Sequence, residues 1–260
     1  MAHLQCIFYS KALEMDTCVN VILPNEGDLS RTRVVFLLHG LSDNYSAWCR
    51  YTHVERYALA ANVAVVMPEV QRSFYCNTSY AVDYLSYVAD ELPSICNRWF
   101  RLDPRKENTF IAGESMGGYG AAKIGLSRPN RYGAIAALSG VMDYASLCCR
   151  VLNGEWSDIL PQELHGIHGA IGMPEKKDDL LHLVQKTAVL SWRPRLLQMC
   201  GTEDFLYEDN QTFRKIAQKA EYGHTYLEGP GDHEWPYWDK AIQRAFQFFC
   251  ELDMEKTPLY

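Results

Sequence analysis

Two hundred and sixty residues with 48% hydrophobic and 22% charged side chains describe a globular chain, long enough to bury a core without disulfide or metal staples. The 25 basic and 32 acidic groups leave a formal charge of −7. That excludes nucleic acid or an anionic membrane as the main partner, because both demand a basic face.

Met1 to Asp16 has no basic start followed by a long apolar core, so no secretory signal is expected. Nor does any stretch reach the ~18 apolar residues of a membrane helix. The first elements read as β. Leu4–Tyr9 is a short apolar run, Thr17–Leu23 alternates after the turn-like Glu14-Met15-Asp16, and Pro24-Asn25-Glu26-Gly27-Asp28 marks a loop. Arg33–Leu38 then carries an unbroken apolar run that stops at His39-Gly40, the pattern of a strand covered on both faces. It returns at Val63–Met67 before Pro68, Thr109–Ala112 before Gly113, Ala134–Leu138 before Ser139-Gly140 and Leu196–Cys200 before Gly201. Thr225–Leu227 is the last strand, ahead of Gly229-Pro230-Gly231.

Helical spacing separates these strands. Ala81, Leu85, Val88, Leu92 and Ile95 share one face, as do Phe213, Ile216, Ala217 and Ala220, and as do Trp238, Ile242, Ala245 and Phe249. The alternation predicts an α/β protein with a mostly parallel sheet and helices on both faces. Without repeats, low-complexity tracts or linkers, residues 1–260 read as one domain. Val141–Arg195 is too long for a simple crossover and is expected to be a cap insertion over the active edge of the sheet.

Gly113-Glu114-Ser115-Met116-Gly117 matches Gly-x-Ser-x-Gly between a predicted strand and the predicted helix Gly117–Leu126. So tight a turn strains Ser115 and exposes its hydroxyl above the sheet, over a helix N-terminus that favours negative charge. A serine needs a base, and the base an orienting acid. The order expected in this architecture is Ser, acid, His, each at a strand's C-terminal end. Asp204 in Gly201-Thr202-Glu203-Asp204 is the first candidate acid, ahead of Glu203 and Asp209. His233 in Gly231-Asp232-His233-Glu234-Trp235 is the candidate base. His224 sits at the wrong end of a strand, and His3, His39, His53, His165, His168 and His182 precede Asp204. Backbone N–H groups of Met116 and Leu41, the latter in His39-Gly40-Leu41-Ser42-Asp43-Asn44, are the expected oxyanion donors.

Other residues carry weaker signals. Trp48, Trp235, Tyr237 and Trp238 could line an acyl pocket, with Trp235 and Trp48 the leading substrate contacts. His165-x-x-His168 has metal-ligand spacing, but Gly166 and Gly169 suggest a loop and no third ligand is evident, so no metal is expected. Glu114 places a carboxylate beside the nucleophile, as an ion-pair partner or as a group that tunes local pKa values. Nine cysteines, odd in number, scattered and without a Cys-x-x-Cys pair, fit neither a disulfide framework nor a zinc site. They read as reduced apolar residues of a cytoplasmic protein, Cys148-Cys149 being the pair to watch.

Together, His39-Gly40-Leu41-Ser42-Asp43-Asn44 with Trp48, Gly113-Glu114-Ser115-Met116-Gly117-Gly118-Tyr119-Gly120, Gly201-Thr202-Glu203-Asp204-Phe205-Leu206-Tyr207 and His233-Glu234-Trp235-x-x-Trp238 resemble the esterase D-like α/β-hydrolases, above all bacterial tributyrin esterases. The resemblance runs from about Leu4 to Phe249. It implies an α/β-hydrolase fold, short-chain ester hydrolysis without a cofactor, Ser115, Asp204 and His233 as the triad, Leu41 and Met116 as oxyanion donors, and a homo-oligomer. The family also contains S-formylglutathione hydrolases, feruloyl and acetylxylan esterases and mycolyltransferases. Glu114 departs from the His or Leu usual there, and the cap region matches poorly. The expected partner is a small-molecule ester; a hydrolase fold that has become a binding module is the alternative outside enzymes.

Overall fold

The computed structural model describes residues 1–25, 27–103 and 105–252, so Glu26 of the expected loop at Pro24–Asp28 lies outside the described residues. The chain opens on an antiparallel hairpin, β1 (Ala2–Ser10) and β2 (Met15–Leu23), with Ala2 opposite Leu23 and Ser10 opposite Met15. It continues as β3 (Arg33–Leu38), β4 (Val63–Pro68), β5 (Thr109–Glu114), β6 (Ala134–Leu138), β7 (Arg195–Gly201) and β8 (Thr225–Gly229). All eight form one sheet in the order β1-β2-β4-β3-β5-β6-β7-β8. The hairpin joins β4 antiparallel, and β4 to β8 pair parallel throughout. The strands expected from the sequence are all present, each within a few residues of its expected ends.

Helices occupy the crossovers. They are α1 (Ala47–Tyr51), α2 (Val54–Ala61), α3 (Tyr84–Ser86), α4 (Leu92–Phe100), α5 (Met116–Ser127), α6 (Tyr144–Leu152), α7 (Pro161–His168), α8 (Leu180–Ala188), α9 (Tyr207–Lys219) and α10 (Trp235–Cys250). Alternation along β3 shows why its apolar run is unbroken. Val34, Phe36 and Leu38 face a core containing Tyr119, Ile124 and Val184, whereas Val35 and Leu37 face a second core built on Trp238, Ile242 and Phe246. Each face is buried against helices. None of the described helices is long and apolar enough to cross a membrane.

Two local expectations are corrected. The helical pattern from Ala81 begins only at Tyr84, since Ala81 has φ +65°, and α3 passes into α4 through a π turn at Tyr87–Glu91. Pro93 explains the wide turn: it lacks an N–H and its ring crowds the carbonyl four residues back. His165 and His168 lie on a helix, not a loop. Pro161 suits the first turn of α7, the Glu163 carboxylate accepts the Leu160 N–H at 3.0 Å, and Gly166 is tolerated inside it. Gly169, at φ +78°, ends it.

The sheet order places β3 beside β5, and α5 starts so close above them that a Cβ on Gly117 would collide with the Leu38 and His39 carbonyls. Gly117→Ala should therefore cost about 3 kcal/mol, the upper end for overpacking against backbone. Urea unfolding checks this: the midpoint should drop with an unchanged slope.

Candidate active site

β5 gives way to α5 across a single residue. Ser115 has φ +54° and ψ −120°, a region that side-chain-bearing residues enter only under constraint. Its N–H donates to the Leu138 carbonyl at 3.0 Å, and its own carbonyl accepts from Tyr119 at 3.1 Å and Val141 at 3.3 Å. A Cβ on Gly113 would strike the Gly117 carbonyl, so only glycine lets the two sides of the turn pass. The serine side chain is left standing above the C-terminal edge of the sheet.

The loops after β7 and β8 meet it there. His233 Nε2 lies 2.9 Å from Ser115 Oγ, and His233 Nδ1 lies 2.9 and 3.0 Å from the two carboxylate oxygens of Asp204. The Asp204 side chain is fully buried and also accepts the Leu206 N–H at 2.8 Å. An ionised carboxylate only accepts, so the proton sits on Nδ1 and the lone pair of Nε2 faces the serine hydroxyl. Phe205 at 4.3 Å and a perpendicular Trp238 at 4.9 Å fix the imidazole plane.

The competing acids have other work. Glu203 accepts the Gly231 N–H at 2.6 Å and the Thr202 hydroxyl at 2.8 Å, fastening the loop that carries His233. Asp209 pairs with Arg150. His224 sits edge-on to Phe213 and takes no part.

The loop after β3 is held from below. Val70 N–H donates to Nε2 of the buried His39 at 3.1 Å, which leaves His39 Nδ1–H to donate to the Gly40 carbonyl at 2.8 Å. Burial pushes the His39 imidazole below its ordinary range, consistent with a neutral ring. In a trans peptide the Leu41 N–H points opposite the Gly40 carbonyl, so His39 aims that donor. Tyr75 Oη–H donates to the His39 carbonyl at 2.8 Å. Leu41 and Met116 line the same cavity as Ser115, and the Met116 N–H, in the first turn of α5, has no intrahelical acceptor. A serine hydroxyl, an imidazole backed by a buried carboxylate, and the Leu41 and Met116 backbone thus share one space, the groups that acyl transfer requires.

Glu114 lies under this loop. Gly40 N–H donates to its carboxyl group, while Oε1 has no hydrogen-bond partner among the described residues. Burial, reinforced by the nearby Asp43 charge, holds Glu114 well above the usual carboxylate range.

Two depressions flank Ser115 and His233. One, of about 410 Å3, is walled by Phe74, Met116, Val141, Leu147, Trp156 and Phe205. The other, of about 510 Å3, is shallower and bordered by Asp43, Trp235, Pro236 and Trp238. Trp235 borders the second of these. Trp48 does not: it is buried, its indole N–H donates to the Leu38 carbonyl at 2.9 Å, and it stands edge-on behind Trp235. Tyr237 lies elsewhere, against Gly231. Sequence reading misses Phe74, Arg72, Trp156 and Phe205 in the first depression. Phe205 is legible as the neighbour of Asp204, but nothing local marks the others.

A strained Gly-x-Ser-x-Gly serine on a doubly covered parallel sheet, with acid and histidine at later strand ends, defines a serine hydrolase of the α/β-hydrolase fold. More narrowly, the chain belongs to the esterase family described as "Putative esterase", whose model matches residues 10–249. An acetyl esterase of Caldicellulosiruptor saccharolyticus is 28% identical over 267 residues, spanning 97% of this chain and 99% of its own. Two Staphylococcus aureus structures are each 32% identical over 96% of this chain and 98% of theirs. They are the fluorophosphonate-binding serine hydrolase FphF with substrate bound, at TM-score 0.86, and the S-formylglutathione hydrolase FrmB, at TM-score 0.84. A ferulic acid esterase shares the fold at 20% identity and TM-score 0.81. The protein is an esterase D-like carboxylesterase.

Glu114 makes stability depend on pH with a defined sign. Below about pH 4.5 the group is protonated folded or unfolded. Above it the unfolded chain releases the proton and the folded chain keeps it, so stability falls by about 1.4 kcal/mol per pH unit until the folded group titrates. Glu114→Gln abolishes that loss. Its urea midpoint should exceed that of wild type by a margin that widens as the pH rises above about 5; parallel curves would mean that Glu114 is ionised in the fold.

Proposed function

We propose that Ser115, His233 and Asp204 hydrolyse short-chain carboxylic esters, acetyl to butyryl, through an acyl-enzyme. Ser115 Oγ attacks the acyl carbonyl while His233 Nε2 takes its proton. Asp204 holds the reactive tautomer and stabilises the imidazolium that forms. The Leu41 and Met116 N–H groups receive the oxyanion, His233 returns the proton to the departing alcohol, and water repeats the cycle to release the acid. The observation that carries this reading is the 2.9 Å contact between Ser115 Oγ and His233 Nε2 in a cavity they share with Phe74, Leu147, Trp156 and Phe205. No cofactor enters the scheme.

The acyl group is assigned to the cavity between Phe74 and Trp156, and the alcohol to the open side by Trp235. Val141, Leu147, Trp156 and Ile159 close the first of these, which supports reading residues 141–195 as a cap that limits acyl length within a single domain. The name of the Caldicellulosiruptor relative, acetyl esterase, agrees with short acyl groups. A thioester reading draws support from FrmB. Against a carboxylate-rich thiol carrier, the Arg72 guanidinium in the cavity is already engaged, by Glu163 at 2.6 Å and the Asp158 carbonyl at 2.6 Å. The nine free thiols suit a reducing cytoplasm.

Comparing kcat/KM on nitrophenyl acetate, butyrate and octanoate, methyl ferulate and S-formylglutathione tests the substrate class. The short nitrophenyl esters should lead; a clear preference for S-formylglutathione would overturn the ester reading. Ser115→Ala should lower turnover by roughly a factor of 10,000 or more and abolish labelling by a fluorophosphonate. Trp156→Ala should raise the octanoate-to-butyrate ratio roughly tenfold by opening the cavity's far wall.

A further inference from the structure

Lys123, on the face of α5 turned into the core, is completely buried and lies outside the reaction scheme. Its Nζ is 2.6 Å from Asp178 Oδ1 and 2.8 Å from Cys76 Sγ. Cys76, His168 and Asp178 each offer a ligand atom within 4.8 Å of the others, the spacing of a metal site. The ammonium bridging Cys76 and Asp178 is itself the cation of that cluster, and His168 Nε2 is engaged by Tyr144 Oη at 2.9 Å. A metal ion would have to displace a buried charge from its carboxylate, which disfavours that role.

The nitrogen–sulfur approach points elsewhere. A separation of 2.8 Å is short even for N–H···O bonds, which cluster at about 2.9–3.0 Å, and sulfur is the larger atom. It leaves space for one bridging atom between Nζ and Sγ. We propose that Cys76 and Lys123 form a redox-sensitive covalent cross-link, Nζ–O–Sγ, with dioxygen as the oxidant. Asp178 takes the extra proton of the ammonium. The S–H bond and one N–H bond of the resulting amine break, and N–O and O–S bonds form. Sulfur and nitrogen each give up two electrons, and dioxygen accepts all four, one oxygen entering the bridge and the other leaving as water with the two hydrogens. Dioxygen is small and apolar, and the surroundings suit its entry. Phe74 lines the acyl cavity two residues from Cys76, and its ring stacks on Tyr144 at 4.7 Å. The bridge ties the cavity wall at Phe74–Cys76 to the helix that begins at the nucleophile.

Peptide mass mapping of the whole protein, after aerobic storage and after thiol reduction, tests the proposal. In the oxidised sample the Cys76 peptide should be joined to that containing Lys123, heavier than their sum by one oxygen and lighter by two hydrogens. Trypsin should fail to cleave at Lys123. Reductant should restore both peptides, and Cys76→Ser, which keeps the size and a hydrogen-bonding group, should never form the species. Cys76 unmodified after peroxide as well as air would overturn the proposal. So would Cys76 oxidised alone, joined to Cys148, or joined to Lys123 without the oxygen. The wild-type measurement decides the matter even if the variant folds poorly.

Discussion

The crossing of α5 over β3 and β5 is the constraint on which the site depends. Ser115 at φ +54° is held because three backbone hydrogen bonds and two glycine contacts leave it no other course. The same crossing brings Met116 and the end of β3, with Leu41 just beyond it, to the cavity that Ser115 lines. Position follows from sheet order: β3 neighbours β5, while Asp204 and His233 come from the loops after β7 and β8, two and three strands away. The strain of one residue is offset by a doubly covered sheet that cannot relax without exposing its apolar strands.

Uncharged groups then hold what the strain positions. The loop after β3 hangs on a neutral buried His39, on the Tyr75 hydroxyl and on a Glu114 carboxyl that burial keeps towards its protonated form. If the Leu41 and Met116 amides receive an oxyanion as proposed, a fixed anion under them would oppose it, and the raised Glu114 pKa fits that proposal. The Asp204 carboxyl group lies on the far side of the imidazole from Ser115, against Nδ1.

The parts legible in the sequence are those governed by local rules. Unbroken apolar runs mark strands covered on both faces, the Gly113-to-Gly117 pattern marks the turn, and the order Ser115, Asp204, His233 follows from strand ends. Trp48 misleads because an aromatic in a family motif looks the same whether it touches substrate or braces Trp235. Residues His165 and His168 mislead because Gly166 reads as a breaker, whereas Pro161 and Glu163 are enough to start α7. Arg72, Phe74, Trp156 and Lys123 carry no local signal at all. Their roles arise from contacts between segments dozens of residues apart, as between Lys123 and Asp178, which no periodicity encodes.

Successive turns of α5 all grip one loop. Tyr119 meets Phe74 edge-on at 6.1 Å, Gly120 is bare because the Tyr75 ring fills the space of a Cβ, and Lys123 reaches Cys76. Positions three and four apart share a helix face, so Phe74–Cys76 and the start of α5 behave as one body. Tyr75 extends that body to His39 and so to the Leu41 peptide. One wall of the cavity beside Ser115 is thereby fixed by the same contacts that hold the Leu41 peptide. The opposite wall, Leu147, Trp156 and Ile159, belongs to the segment between β6 and β7, which meets that body through Tyr144 on Phe74 and the Asp158 carbonyl on Arg72. On the proposed assignment of this cavity to the acyl group, acyl-chain preference is set from the side of Leu147, Trp156 and Ile159.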